Sequence, residues 1–335
     1  MGLWCPVHRP RMGLSLSDRG LALVEVRRGW RGPSIVRVQE RPLPAGVLTL
    51  AADEPNIKNR EALLNELRAM LATTSERTVS LCVPDEVCHL ALFPFETLPP
   101  RERDREPILR HRFQNDEHVT LSRDTHIMQR VFPAPRHRGP HSTERPGGSG
   151  ITAYVLAMAI KQSVLDEYRS VCDEAGILPM TISCASLWLF DWCQPVLTQT
   201  QELFFASWTP KAFTFFAVRD GVPVFCRTKR SRRVSVDVLG ELQSTVQFYD
   251  DFFPPLGGAT RSGAVPVHCI GEWLSESLQD GERDSIVPLS METEGFTAPW
   301  SVDLRAPEWD TRVKMNGMRP ESHHGLSALA CAIGR

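Results

Sequence analysis

The chain has no apolar run of about 18 residues, so no segment reads as a membrane-spanning helix. Its opening residues, Met1 to Arg11, also lack the apolar stretch of a secretory signal. Nine cysteines are scattered along it and never fall into C-x-x-C spacing. That pattern argues against a zinc site and against a disulfide framework, and it points to a reducing compartment. Neither sign of charge dominates: the formal net charge is −2. A whole-chain attraction to nucleic acid or anionic lipid is therefore excluded, and any such binding has to come from a local patch.

What is present is ordinary globular material, 335 residues with 42% apolar and 23% charged side chains, enough for two lobes with separate cores. The stretch Gly13 to Gly29 organises the rest. Leu14, Leu16, Leu21, Leu23, Val24 and Val26 flank a polar tip, Ser17-Asp18-Arg19-Gly20. This reads as a hairpin, because Gly20 can take positive φ where a turn needs it. Such a hairpin is either a plain sheet edge or a loop that points its N–H groups at an anion.

Further along, Ser34 to Val38 reads as a third strand ended by Pro42, and Asn59 as the cap of a helix carrying Leu63, Leu67, Met70 and Leu71. Thr78 to Val83 follows as a strand. The order strand, strand, strand, helix, strand is that of an RNase H-like half, a mixed sheet backed by helices. Val87 to Phe95 is strand-like, and Pro107 is expected to start or kink the charged helix that carries Ile108, Leu109 and Phe113. Pro133 to Gly150 has a loop composition and contains His137 and His141, a weak metal signal. After a strand over Ile151 to Ile160, Ser163-x-x-Asp166 reads as a capping box and Gly176 as a helix stop. Ser183 to Cys193 is apolar nearly all round and reads as a buried helix, and Pro195 closes the first lobe.

A second run of three strands follows, Leu203 to Phe205, Ala212 to Val218 and Val222 to Cys226, with a hairpin turn at Arg219-Asp220-Gly221. Arg227, Lys229, Arg230, Arg232 and Arg233 form a basic cluster, either a solvated loop or a contact for lipid phosphates or an acidic partner. Val238 to Phe253 traces an amphipathic helix ended by Pro254-Pro255, and Val267 to Ile270 and Ile286 to Leu289 read as strands. Residues 291 to 324 read as irregular, His323-His324 as a weak metal signal, and Leu326 to Ile333 as a terminal helix.

Two successive lobes of similar order suggest an internal duplication. Here the chain resembles the actin-like ATPase superfamily and, within it, the PilM family of type IV pilus assembly proteins. The resemblance rests on several stretches in combination: the opening hairpin followed by Glu40-Arg41-Pro42-Leu43-Pro44-Ala45-Gly46-Val47, and Phe95-Glu96-Thr97-Leu98-Pro99-Pro100 with its charged helix. Val155 to Ala159 before Glu174-Ala175-Gly176-Ile177-Leu178-Pro179, the pair around Val218-Arg219-Asp220-Gly221, and Gly325-Leu326-Ser327-Ala328-Leu329-Ala330 complete it. The likeness runs from about Met12, itself a candidate start, to Gly334.

It implies an α/β, two-lobed, duplicated RNase H-like fold with mixed sheets flanked by helices and a nucleotide cleft between the lobes. The expected division is a disordered leader over 1–11, a first lobe over 12–200 with an inserted subdomain at about 86–150, and a second lobe over 201–335 that includes the terminal helix. In the superfamily one hairpin per lobe cradles the phosphates, with an acid in each that holds Mg²⁺. Here Ser15 stands for the first Asp and Ser17 for the Gly beside it, with Asp18 and Arg19 completing the turn. Ser207 and Thr209 replace the same pair in the second hairpin, and the adenosine motif reads Ile270-Gly271-Glu272-Trp273. Losing both carboxylates removes the charges that oppose Mg²⁺–polyphosphate. The resemblance thus implies a degenerate cleft with no resident cofactor and a non-catalytic cytoplasmic scaffold peripheral to the inner membrane. It would dock the cytoplasmic N-terminal peptide of a PilN-like membrane protein, alongside other pilus assembly proteins. The alternative is an ATPase or small-molecule kinase that uses ATP through Asp18 or Glu272. Nucleic-acid binding through 227–233 ranks last, since the basic run has no interleaved aromatics.

Overall fold

A computed structural model describes residues 10–30, 32–115, 119, 121–135, 150–197, 202–209, 211–230, 238–253, 265–271, 292–293, 296–297, 300–303 and 323–333. The chain divides into two compact units. The first comprises Met1–Cys88, Ile160–Cys193 and Pro307–Arg335, and the second His89–Ala159 and Gln194–Ala306.

In the first unit, β1 (Met12–Leu16), β2 (Gly20–Gly29) and β3 (Gly32–Pro42) form an antiparallel meander. Helix α1 (Arg60–Leu71) leads to β4 (Thr78–Val83), which returns parallel to β1. Every residue of β1 is buried, as a central strand covered on both faces requires. Asn59 caps α1 as its position in the sequence predicts, its Oδ1 accepting the Ala62 N–H at 3.1 Å. Leu63, Leu64, Leu67, Met70 and Leu71 recur on one stripe and are buried, each such side chain stabilising the fold by about 1.5–3 kcal/mol.

The second unit opens with β5 (His89–Phe95), α2 (Glu102–Gln114), β6 (Thr125–Pro133) and β7 (Ala153–Lys161), whose strands make a small sheet in the order β5-β7-β6. Leu109 and Phe113 of α2 pack on Phe95, Ile127 and Val155 of that sheet. Pro107 lies inside α2 rather than at its start. The last residues of β7 lead back into the first unit. There α3 (Gln162–Glu174), β8 (Leu178–Cys184) and α4 (Ala185–Leu197) complete the sheet in the order β3-β2-β1-β4-β8. Lys161, not Ser163, is the residue before α3, and Gln162 bonds the Asp166 carboxylate; the capping-box reading is therefore corrected. The helix begins directly where β7 ends, leaving Ser163 inside its first turn.

The second meander, β9 (Glu202–Trp208), β10 (Ala212–Arg219) and β11 (Val222–Arg230), is followed by α5 (Val238–Phe252) and β12 (Val265–Gly271), which lies parallel to β9. Asp220 and Gly221 both have positive φ, 50° and 75°, the turn the Asp-Gly pair demands. Beyond a two-strand ribbon, β13 (Glu292–Thr293) with β14 (Phe296–Thr297), strand β15 (Trp300–Asp303) pairs parallel to β12. The resulting order, β11-β10-β9-β12-β15, repeats that of the first sheet strand for strand. The duplication inferred from two meanders is real.

Two expectations change. The stretch read as irregular supplies β15, which completes the second sheet, whereas the strand expected at Ile286 to Leu289 lies outside the described residues. The terminal helix α6 (His323–Ile333), expected in the second lobe, packs on β1, β2 and β4 of the first sheet. The reason is steric. Gly13 has no side chain, and a Cβ there would lie 2.0 Å from the Ala328 carbonyl oxygen and 2.7 Å from Cys331 Sγ. The glycine lets the helix backbone approach the strand. The segment read as an insert of the first lobe belongs, from His89 on, to the second unit, where β5 runs beside β11. Among the described residues no helix is long and apolar enough to cross a membrane.

Candidate functional site

β1 and β4 run parallel, and Ser15 pairs with Cys82. The polar tip Ser17-Asp18-Arg19-Gly20 therefore stands at the carboxyl end of the central strand, where open α/β sheets place their ligands. The tip closes on itself. Ser17 Oγ accepts the N–H of Arg19 at 3.2 Å and that of Gly20 at 3.0 Å, while its own hydroxyl donates to the Gly20 carbonyl at 3.1 Å. The Ser17 N–H donates to the same carbonyl at 2.9 Å. A serine in this position offers the turn a local acceptor for the amides that would otherwise face an anion.

Ser15 lies one turn of the pleat deeper and is only 2% exposed. Its hydroxyl hydrogen-bonds the Cys82 thiol, which also has Ser327 of α6 as a hydrogen-bonding neighbour. Burial pushes the Cys82 thiol well above its usual range, and these hydroxyls oppose that shift. Cys331 Sγ completes the layer, donating to Ser80 O at 3.4 Å and Ala328 O at 3.2 Å.

The second hairpin is built the same way. Thr209 Oγ1 accepts the Lys211 N–H at 3.3 Å and the Ala212 N–H at 2.9 Å, and the Thr209 N–H donates to the Ala212 carbonyl at 2.8 Å. Ser207 is buried and pairs with Thr214 across β10 and with Ile270 across β12, which brings Gly271 beside Trp208. The structure thus gathers Ser15, Ser17, Asp18 and Arg19 at one strand end, and Ser207, Thr209 and Gly271 at its repeat. Glu272 and Trp273 lie outside the described residues, as do His137 and His141.

These residues do not fit a magnesium–nucleotide. Where the resemblance implies carboxylates, Ser15 is a buried hydroxyl beside the Cys82 thiol and Ser207 is a buried hydroxyl. Two amides of each turn are already taken by the turn's own side chain. No group of three or more His, Cys, Asp or Glu side chains that could hold a metal ion occurs among the described residues.

Sequence reasoning missed Asp85. It follows β4, is buried, and accepts the Ser186 N–H at 3.0 Å through Oδ1 and the Ser186 hydroxyl through Oδ2. It satisfies the N-terminus of α4 from across the sheet. Its partner is 101 residues away, so no local spacing announces it. Nearby, the Tyr168 hydroxyl on α3 is buried and has no hydrogen-bond partner among the described residues. Burial, then the charges of Glu167, Glu86 and Asp18, raise its pKa.

The basic cluster also changes character. Arg227, Lys229 and Arg230 are strand residues of β11, not loop, and Arg232 and Arg233 lie outside the described residues. Lys229 pairs with the buried Glu241 carboxylate of α5, Arg227 sits 4.0 Å from the same carboxylate, and its guanidinium lies 5.6 Å from the Phe248 ring centroid. Part of the positive charge is thus neutralised within the unit.

No protein-family model and no curated protein matches the chain. Among solved structures it is similar to one described as the PilM-PilN type IV pilus biogenesis complex. That match has a TM-score of 0.65 at 16% identity and covers 97% of this chain and 98% of that one. It is also similar to a Bacteroides thetaiotaomicron protein of actin-like ATPase fold and unknown function, with a TM-score of 0.48 at 11% identity and 98% coverage of each chain. A third is the cytoplasmic domain of EpsL, an inner-membrane component of the Vibrio cholerae type II secretion system. Its TM-score is 0.46 at 8% identity, covering 97% of this chain and 95% of that one. The near-complete first match and the repeated five-strand order establish the actin-like fold.

Proposed function

We propose that the chain is a scaffold of a type IV pilus or related secretion apparatus that neither binds nor hydrolyses nucleotide. The observation that carries the reading is the closure of both hairpin turns by their own hydroxyls, Ser17 and Thr209. A phosphate-binding turn needs its amides available and a carboxylate beside them for the metal. Here both features are replaced in both halves, so the loss is coordinated rather than local.

The similarity over almost the whole length to a PilM–PilN complex structure supports a partner of the same kind. That partner is an inner-membrane, PilN-like protein whose cytoplasmic N-terminal peptide docks on the first unit, which places the scaffold at the inner face of the membrane. Other assembly proteins could share the platform. No cofactor takes part.

Two measurements on the purified chain test this reading. Calorimetry with the N-terminal peptide of the neighbouring membrane protein should show binding without nucleotide; a flat titration removes the docking reading. Millimolar MgATP should leave the melting temperature unchanged. A rise of several degrees would instead favour the ATPase or kinase alternative, because ligand that binds only the native state raises stability in proportion to RT ln(1 + [L]/Kd).

A further inference from the structure

Strands β2 and β3 run past the end of the first sheet. The pairing of β1 with β2 starts at Met12 opposite Glu25, and the Arg11 carbonyl accepts the Val26 N–H at 2.8 Å. From there β2 and β3 continue together through Arg27–Ser34, Arg28–Pro33 and Gly29–Gly32. At about 3.4 Å per residue the tip stands roughly 10 Å beyond Arg11. Trp30 occupies that tip and is 94% exposed, far more than any other large apolar side chain described. Gly32 takes a φ of 101°, which only glycine adopts without strain, and so allows the reversal.

The charge around the tip is one-sided. Between Val26 and Ile35 the sequence holds three arginines, Arg27, Arg28 and Arg31, and no Asp or Glu, while Arg37, farther from the tip, pairs with Glu25 at 3.9 Å. Arg11, Arg27 and Arg28 are exposed. The Arg28 guanidinium donates to the Pro10 and Ala332 carbonyls, each at 3.2 Å, so the base of the hairpin is braced against the end of α6. A single exposed tryptophan is unremarkable on a protein surface. This one sits at the end of an overhanging two-strand arm whose last residues carry arginines and no acid.

We infer that the β2–β3 tip is a lipid-contacting element that seats Trp30 at the headgroup level of an anionic bilayer, with Arg27 against the lipid phosphates and Arg28 holding the base of the hairpin. An indole ring prefers the membrane interface because one end is apolar and the other donates a hydrogen bond. Guanidinium groups pair with phosphate through two parallel N–H bonds. One apolar anchor or one basic patch binds a membrane only marginally, whereas the two together reinforce each other. This contact needs no protein partner and stands whether or not the pilus reading holds.

The test is co-sedimentation of the full chain with vesicles of phosphatidylcholine alone and of phosphatidylcholine mixed with phosphatidylglycerol. The chain should bind the mixed vesicles selectively and release as salt shortens the Debye length. Trp30→Ala and Arg27→Gln should each lower the partition coefficient by about five-fold or more, since one such contact contributes about a factor of five. Both side chains are exposed, so an unchanged melting temperature controls for folding. Absence of binding to the mixed vesicles overturns the inference, as does binding that neither tip substitution weakens. Binding that Arg230→Gln abolishes while the tip variants keep it would assign the membrane contact to β11 instead. Recruitment to vesicles only when a membrane protein is reconstituted in them would likewise overturn it.

Discussion

Ser17 Oγ holds the amide of Gly20 at 3.0 Å and returns its own proton to the Gly20 carbonyl at 3.1 Å, so the first hairpin turn is complete without a ligand. Thr209 does the same for the amide of Ala212, 192 residues later, at 2.9 Å. A hydroxyl that serves as the turn's internal acceptor takes up amides that a phosphate loop would offer to an anion. The two halves have diverged in sequence but have reached the same local solution.

Placing an acid at Ser15 should therefore not create a magnesium–nucleotide site. Ser15→Asp places a carboxylate where Ser15 now contacts the Cys82 thiol beneath α6, in a layer closed to water. An unpaired buried charge of this kind costs several kcal/mol. Chemical denaturation should show a loss of at least about 2 kcal/mol with no MgATP-dependent stabilisation. A variant as stable as the parent that gains a MgATP-dependent shift would show the site to be intact.

Gly13 is the position on which the terminal helix depends. In Gly13→Ala the new Cβ meets backbone atoms of α6, Ala328 O at 2.0 Å and Ala332 N at 2.7 Å, and backbone cannot turn aside as a flexible side chain can. Helix α6 has to move off the sheet and uncover Ala328, Leu329 and Cys331, all buried now. A loss of about 3 kcal/mol or more is expected, together with faster proteolysis at the C-terminus. A change below about 0.5 kcal/mol would mean that the helix does not pack at Gly13.

The thiols make the fold sensitive to alkali. Burial pushes Cys172 up to about 12, and it pushes Cys184 and Cys331 upward as well. In the unfolded chain such a thiol releases its proton near 8.5, so the folded state binds more protons above that pH. Stability is fully present below about pH 8.5 and is lost as pH rises towards the folded value, at about 1.4 kcal/mol per pH unit for each thiol. A plot of melting temperature against pH should fall from about pH 9, and Cys172→Ala should flatten it. The half-buried Cys226 should be alkylated before Cys172 at neutral pH.

Much of this architecture can be read from local pattern. Asp220 and Gly221 announce their turn, and Asn59 announces its helix, because the physics there involves neighbours in sequence. The repeat of three strands, helix and strand discloses the duplication for the same reason. Gly20 does not take the positive φ expected of it but opens β2, where a Cβ would lie 2.6 Å from the Arg41 carbonyl oxygen. What escaped reading depends on distant partners. Nothing near residue 323 tells the terminal helix which sheet to join; Gly13 decides it, more than 300 residues earlier. Asp85 is silent until Ser186 arrives across the sheet. The hydroxyl residues Ser15, Ser17, Ser207 and Thr209 are legible in the sequence. That Ser17 and Thr209 actively close their turns is not, since the same residues facing outward would spell the same sequence.

Tyr168 offers a prediction opposite in sign to most core substitutions. The ring is fully buried on α3, and its hydroxyl finds no hydrogen-bond partner among the described residues. Taking a hydroxyl out of water without a partner costs about 1–3 kcal/mol, and that cost bears on the folded state alone. Tyr168→Phe keeps the ring and removes only the oxygen, leaving a void smaller than a methyl group. The variant should therefore be as stable as the parent or more so, by up to about 1–2 kcal/mol. It should also lose part of the alkaline sensitivity, because burial and the nearby carboxylates raise the tyrosine's pKa and make its ionisation destabilising. Urea denaturation of the two proteins at pH 7 and again above pH 10 separates these effects. A loss of more than about 1 kcal/mol at pH 7 would mean that the hydroxyl has a hydrogen-bond partner after all, and that the interior between α3 and the first hairpin is wetter than its packing implies.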